Sequence, residues 1–164
     1  TLLVFKKNIK WSLTNVLFFV GVCGWLIGGV GALIDATVAN NIFLHNTLWV
    51  PAHFHTYNAM GNVLFCLAFF YWVAHEFAGE HQFQKFHSLL LWFLLIGGFG
   101  FILMFYWGGF QSIPRRFSTY PDEFSYAKLL ATLGGAFATI YLAAILWFFI
   151  DIIKRCLKVF SSSS

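Results

Sequence analysis

The chain has 164 residues, of which 60% are hydrophobic, 21% aromatic and only 10% charged. Average soluble domains are about 25% charged, so this composition excludes an ordinary water-soluble domain, and the mean hydropathy of +0.76 excludes a disordered chain. Three cysteines are too few for a disulfide scaffold, and a net charge of +4 spread over several tails does not indicate nucleic-acid binding. The composition indicates an integral membrane protein whose basic ends suit anionic lipid headgroups.

Four segments contain no Asp, Glu, Lys or Arg: residues 11–34, 36–75, 86–114 and 129–150. A spanning helix needs about 20 mostly apolar residues, so each segment predicts one crossing. The second segment is long enough for two crossings, but asparagines, His45 and Pro51 crowd its first half, where we expect a loop that returns to the membrane surface. The predicted fold is all-α, with one membrane domain over 1–160, spans at about 12–34, 50–72, 87–108 and 129–150, and a disordered serine tail at 161–164.

The basic residues predict the orientation of these spans. One side of the membrane receives seven of them: Lys6, Lys7, Lys10, Lys85, Lys154, Arg155 and Lys158. The positive-inside rule makes that side cytoplasmic, or the matrix side in a mitochondrion. Arg115 and Arg116 are therefore adjacent on the disfavoured outer side. They either form a surface pair balanced by Asp122 and Glu123 or bind an anionic group, because guanidinium groups bind carboxylates in a bidentate way.

Two histidines, His53 and His55, follow Pro51 at the start of the second span. Proline favours the first turn of a helix, and residues i and i+2 of a helix point about 200° apart. The two imidazoles are therefore expected on opposite sides of the helix, where they cannot readily share one ion. If both bind metal, they bind two different metals, and neutral imidazole is a usual axial ligand of haem iron. The alternative is a pair of interfacial histidines bonded to carbonyl groups or water.

The remaining histidines carry weaker signals. His45 lies in the outer loop beside Asn46 and could bind a hard ion, although a loop histidine without a function is the alternative. The inner side holds His75, His81 and His87, which we interpret as part of a solvated loop and to which we assign no function.

Two stretches carry a family resemblance. Residues 45–55, HNTLWVPAHFH, followed by Met60 and Gly61, resemble the tenth helix of haem–copper oxidase subunit I. Residues 113–122, IPRRFSTYPD, resemble the loop before the last helix of that subunit, and the separation of the two motifs is also that of the family. The resemblance covers nearly the whole chain. It implies the last four core helices of a larger, twelve-helix-type cytochrome c oxidase core, as a naturally split piece or a partial chain.

The resemblance also implies roles for individual residues. His53 resembles the ligand of the high-spin haem at the oxygen site, and His55 resembles a ligand of the low-spin haem on the other side of the helix. Phe54 resembles the aromatic residue between the two haems. Arg115 and Arg116 resemble the pair that binds the haem propionates, so these five residues are the predicted cofactor-binding set.

Other parts of the family's site are matched weakly or not at all. His45 resembles a ligand of the outer magnesium site, but Asn46 stands where many members have Asp. The copper ligands, the cross-linked tyrosine and the second ligand of the low-spin haem have no match in this sequence. The copper is therefore expected on a partner chain.

The resemblance implies an oxidoreductase that reduces oxygen to water and translocates protons, as part of a multisubunit complex and not alone. Its cofactors would be two haems of the a type, copper and, at the weakly matched His45, magnesium. Its partners would be the rest of subunit I, subunit II and other oxidase subunits, membrane lipid, and cytochrome c or quinol as electron donor. The expected location is the mitochondrial inner membrane, with the prokaryotic plasma membrane as alternative. Rival functions are a small di-haem b-type electron-transfer cytochrome and a cofactor-free assembly subunit or transporter.

Overall fold

The computed structural model describes residues 11–78 and 85–162. In these ranges the chain forms six α-helices: α1 (Leu13–Ala36), α2 (Val38–Leu44), α3 (Trp49–Tyr57), α4 (Val63–Ala78), α5 (Lys85–Phe110) and α6 (Ala127–Ser162). A π-helical turn (Asn58–Asn62) makes α3 and α4 continuous, and a 3₁₀ turn (Asp122–Phe124) precedes α6. Four stretches are long and apolar enough to cross a membrane: Leu13–Ala36, Trp49–Phe77, Lys85–Phe110 and Ala127–Lys158. The all-α class and the four spans predicted from the sequence are confirmed.

Two local predictions need correction. The expected loop after the first span contains the short helix α2, which Asn41 links to α1 through a 2.9 Å hydrogen bond to the Asp35 carbonyl. At the other end, α6 continues to Ser162, with the Ser161 hydroxyl donating to the Lys158 carbonyl at 3.0 Å. Serines 161 and 162 are therefore helical, because the helix before them continues its hydrogen-bonding pattern. Residues 163–164, the three N-terminal lysines and His81 lie outside the described ranges.

Close helix contacts depend on glycines that face other helices. A Cβ atom at Gly24 of α1 would collide with the backbone carbonyl of Met60 in the π turn. A Cβ atom at Gly97 of α5 would lie 2.6 Å from the backbone nitrogen of Tyr141 in α6. These positions let the backbones approach, as small residues do in membrane bundles. The resulting core contains the fully buried side chains of Leu17, Met60, Leu64, Leu67, Leu94 and Phe148.

The π turn lies just below the two histidines of the second span, and its asparagines form a hydrogen-bonded ladder. The Asn58 amide donates to the Phe54 carbonyl at 2.9 Å, and the Asn62 amide donates to the Asn58 side-chain oxygen at 3.1 Å. The Trp25 indole of α1 donates to Asn62 at 3.2 Å. A π turn shifts the register of a helix and is frequent at functional sites. The ladder thus stabilises the turn and attaches it to α1.

Candidate functional site

The two motif-bearing segments are fastened together at the outer end of the bundle. The Leu48 amide donates to the Ile113 carbonyl at 3.0 Å, and the Arg115 amide donates to the Asn46 carbonyl at 2.8 Å. Thr47 and Pro114 form an isolated antiparallel bridge between these bonds. The arginine loop is therefore held against the segment that leads into α3, although the two segments are far apart in the sequence.

Neighbouring spans also fix the first turns of α3. The Trp49 indole donates to the Gly31 carbonyl of α1 at 3.1 Å, and its ring packs edge-on against Tyr106 of α5 with a centroid distance of 4.8 Å. The Thr56 hydroxyl lies 3.4 Å from the Tyr106 hydroxyl and is fully buried. The helix that carries His53 and His55 is consequently held between the first and third spans.

Four of the predicted site residues line one cavity at this end of the bundle. The cavity has a volume of about 480 Å³, and we call it the outer groove; its lining residues are Leu48, Val50, Pro51, His53, Phe54, Phe105, Arg115 and Arg116. The structure thus brings an imidazole, a phenyl ring and two guanidinium groups to one mostly apolar space. Such a combination suits a large flat ligand that carries a metal and acidic groups.

Two buried polar atoms at the outer groove have no hydrogen-bond partner within the described chain. They are Nδ1 of His53 and Nε of Arg115. An unsatisfied buried polar group costs about 1–3 kcal/mol, so native proteins normally pair such groups with protein, water or a ligand. The two atoms fit a ligand that supplies an acceptor beside Arg115 and a partner for the His53 ring.

The backbone at Arg116 explains how adjacent arginines line the same groove. In extended chain, successive side chains point to opposite faces. Arg116 has a φ of 71°, in the left-handed region that residues other than glycine rarely adopt. This turn directs the exposed Arg116 side chain to the groove that the partly buried Arg115 also lines. Backbone strain of this kind is concentrated at functional sites.

His55 lies on a different side of α3 from His53. Its ring is 5.2 Å from Phe101 and 5.3 Å from Phe105 of α5, measured between centroids. The base of the His53 side chain instead lies against α1, since a Cβ atom at Gly31 would be 3.0 Å from the His53 Cβ, and the ring centroids of His53 and Tyr57 are 6.5 Å apart. This is the arrangement expected from the spacing of the two histidines. His55 is therefore not among the residues that line the outer groove.

A second cavity begins at the phenylalanines that contact His55. It has a volume of about 320 Å³ and lies between α5 and α6, where Phe101, Met104, Phe105 and Tyr120 contribute to its apolar wall. Phe105 lines both this cavity and the outer groove. The two sides of α3 thus have different cavities, which share the lining residues Leu48 and Phe105.

His45 follows α2 and has an exposed side chain. In residues 11–78 and 85–162, no group of three or more His, Cys, Asp or Glu side chains could hold a metal ion. The described residues thus offer no cluster of such side chains for a magnesium ion at His45.

A buried polar cluster at the opposite, inner end was missed by the sequence analysis. His87 is only 2% exposed, and its Nε2 atom lies 3.1 Å from Oδ2 of Asp151 and 3.1 Å from Nη2 of Arg155. The same Asp151 oxygen accepts hydrogen bonds from the Tyr71 hydroxyl at 2.8 Å and from Nε of Arg155 at 2.9 Å. We call these four residues the inner cluster. It connects the second, third and fourth spans.

The prediction that His75 and His87 belong to a solvated loop is wrong. His75 is in α4, and α5 begins at Lys85, so His87 lies in its first turn and faces α4 and α6. The missed signal was Asp151 followed by Arg155 at i+4, a spacing at which opposite charges pair on one helix face. An acid placed at the end of an apolar segment required a partner, and His87 and Tyr71 provide it.

Comparisons with known proteins agree with the two motifs. The family model described as cytochrome c and quinol oxidase polypeptide I matches residues 1–137. Cytochrome c oxidase polypeptide 1 of Halobacterium salinarum is 35% identical over 87% of this chain. Cytochrome c oxidase subunit 1 is 26% identical in Thermus thermophilus, over 78% of the chain, and 28% identical in Yarrowia lipolytica, over 80%. The chain spans about a quarter of the length of these relatives (24%, 24% and 25%).

Proposed function

This chain belongs to the cytochrome c and quinol oxidase polypeptide I family, and we propose from that membership that it completes the haem-binding core of a terminal respiratory oxidase. The observation that carries the proposal is the outer groove, where His53, Phe54, Arg115 and Arg116 line one space while His55 faces another. The four candidate spans of the chain agree with a multi-pass membrane protein.

In this proposal each histidine ligates the iron of a different haem. His53 is the ligand of the high-spin haem, and His55 is one ligand of the low-spin haem. Two features support the assignment: the rings lie on different sides of α3, and Nδ1 of His53 is buried without a partner in the described chain. Because Trp49 and Thr56 hold α3 in place, neither imidazole needs to move far to accept a metal.

Phe54 and the arginines position and neutralise the cofactors. Phe54 lies between the two ligands in sequence and lines the outer groove, so it is placed to pack between the two haems. Arg115 and Arg116 are placed to bind propionates, since carboxylates accept paired hydrogen bonds from guanidinium groups. A fixed positive charge at the groove would also stabilise an additional electron on the nearer haem.

When bound, the haems supply the electron transfer and, at the high-spin centre, the reduction of oxygen to water. The chain itself contributes ligation, spacing and electrostatics, and its aromatic side chains exclude water. The copper is held by the earlier helices of the subunit, and cytochrome c or quinol supplies the electrons. Magnesium at His45 is part of the proposal only if partner residues complete its ligand set.

We propose the mitochondrial inner membrane as the location of the complex, with the prokaryotic plasma membrane as the alternative. The relatives include archaeal, bacterial and eukaryotic proteins and agree with either membrane. The active unit is the complex with the rest of subunit I, subunit II and other subunits. We expect the chain expressed alone to reduce no oxygen, because the other ligands of each centre are absent from its sequence.

The test is the absorbance spectrum of the purified complex, recorded oxidised, reduced, and reduced with carbon monoxide. We expect two haems, of which one binds carbon monoxide. Haem bands without carbon monoxide binding would favour an electron-transfer cytochrome instead. A complex without haem would contradict the proposal and favour an assembly subunit.

A further inference from the structure

An apolar furrow lies between the third and fourth spans, with contacts between the two helices on its outer and inner sides. Toward the outer side they meet where Gly97 approaches the backbone of Tyr141, and at the inner end His87 contacts Asp151. Between the two contacts there is a cavity of about 390 Å³. We call it the inner groove. It is separate from both cavities beside α3.

The walls of the inner groove are large and open to the surroundings, whereas its floor is buried. Phe86 and Phe93 of α5 are 37% and 46% exposed, and Ile140 and Trp147 of α6 are 38% and 49% exposed. The floor contains Leu90 and Ala144, which are 7% and 3% exposed. The rings of Phe86 and Trp147 approach to 5.9 Å and mark the inner end.

Two exposed lysines flank this inner end. Lys85 directly precedes Phe86, and Lys154 is seven residues after Trp147. Seven residues are almost two helical turns, so Lys154 lies on the same face of α6 as Trp147, about 10 Å further toward the inner end. The apolar groove thus opens toward a pair of positive charges, one on each helix.

We propose that the inner groove binds an acyl chain of an anionic phospholipid whose phosphate lies between Lys85 and Lys154. Basic pockets between spans on the inner side of a membrane suit such headgroups, and tryptophan is frequent at the headgroup level. From Lys85 to Phe93 the groove follows about 12 Å of α5, which accommodates part of an extended acyl chain.

A transmembrane helix fits the same groove less well. Helices with side chains are about 10–12 Å wide, and close packing requires small residues on the surface that receives them. The rings of Phe86, Phe93 and Trp147 instead project from both walls. The glycine that would permit close approach, Gly97, already contacts Tyr141.

The proposal is tested on the intact complex in bilayer nanodiscs of phosphatidylcholine. Photoactivatable phosphatidylglycerol and phosphatidylcholine, each with the reactive group on an acyl chain, are added separately, and the labelled peptides are identified by mass spectrometry. We expect phosphatidylglycerol to label the peptides that contain Phe93 and Ile140 at lower concentration than phosphatidylcholine does. Replacing both lysines, Lys85→Gln with Lys154→Gln, should weaken this labelling about 30-fold, since each lysine near the surface contributes roughly fivefold.

The matched control is Lys128→Gln at the outer end of α6, which should leave the labelling unchanged. A second variant, Ala143→Phe, fills the groove from its α6 wall and should reduce labelling by both lipids. The haem absorbance of each complex reports its folding. If Ala143→Phe does not assemble, the variant with both exposed lysines replaced still tests whether the groove binds an anionic lipid. Equal labelling by the two lipids, labelling unaffected by the lysine pair, or an unlabelled groove in the complex would overturn the proposal.

Discussion

Both ends of this bundle hold polar side chains among apolar ones, but the two ends differ in how these side chains are hydrogen-bonded. In the inner cluster, Tyr71, His87 and Arg155 all bond to Asp151. At the outer groove, buried atoms of His53 and Arg115 have no hydrogen-bond partner in the described chain. Since unpaired buried polar groups are costly, the first arrangement is complete by itself, whereas the second suits a ligand.

Burial of a histidine therefore does not by itself indicate that it is a cofactor ligand. His87 is more buried than His53, yet its ring contacts a carboxylate and a guanidinium group on α6. His87 therefore stabilises helix packing, and His53 is the better candidate ligand. Substitutions at the two ends should accordingly have different consequences.

The largest expected effect comes from the histidines of α3. In the complex, His53→Ala should abolish carbon monoxide binding, because the high-spin haem would lose its proposed ligand. His55→Ala should remove the low-spin haem signal, because that haem would lose one of its proposed ligands. Both are measured by reduced-minus-oxidised and carbon monoxide difference spectra. The control is His45→Ala, which should keep both haems. Loss of the same haem in both variants, or of none, would disprove the assignment of one histidine to each haem.

At the inner cluster, Asp151→Leu should lower the free energy of unfolding by about 1–3 kcal/mol, because His87 and Arg155 lose a shared acceptor. Detergent-induced unfolding of the complex, followed by circular dichroism, measures this change. Asp122→Leu in the exposed 3₁₀ turn is the matched control and should change stability little. The haem bands of folded Asp151→Leu should be those of the wild type. A selective loss of one haem with unchanged stability would instead give the inner cluster a functional role.

Within the outer groove, Arg115→Gln should lower the reduction potential of the nearer haem. If the Arg115 charge stabilises the reduced haem over the oxidised haem by about 1.4 kcal/mol, its loss corresponds to roughly 60 mV for one electron. Arg116→Gln should have a smaller effect, because the side chain is exposed and solvent screens its charge. Potentiometric titration of both haems provides the measurement. Arg115→Lys keeps the positive charge, so it should lower the reduction potential less than Arg115→Gln does. It still loses the bidentate geometry of the guanidinium group. Unchanged reduction potentials in both Gln variants would indicate that the arginines are a surface pair that does not bind a haem.

The smallest expected effect distinguishes the contribution of the Arg116 charge from that of its backbone conformation. Arg116→Gly removes the same charge as Arg116→Gln but relieves a φ of 71°, for which a side chain costs roughly 1–2 kcal/mol. The two variants should therefore have equal haem potentials, while the Gly variant unfolds at higher denaturant concentration. Equal stability of the two would show that the turn is not strained.

The features that depend on local patterns can be predicted from the sequence alone. Hydropathy and segment length predicted four spans, and these are confirmed. The residue spacing predicted that His53 and His55 lie on different sides of one helix, because the angle between i and i+2 is a property of the helix itself. The two motifs also led to the family that the comparisons show.

Contacts between residues that are distant in the sequence depend instead on how the helices pack. Backbone bonds from Leu48 to Ile113 and from Arg115 to Asn46 bring the arginines to the groove of His53. The packing of α5 on α6 buries His87 beside Asp151, although the sequence predicts a solvated loop at this histidine. No periodicity encodes such pairs, because they depend on how the helices cross and where they touch. The points of contact are set by glycines such as Gly97, which allow one helix backbone to approach another.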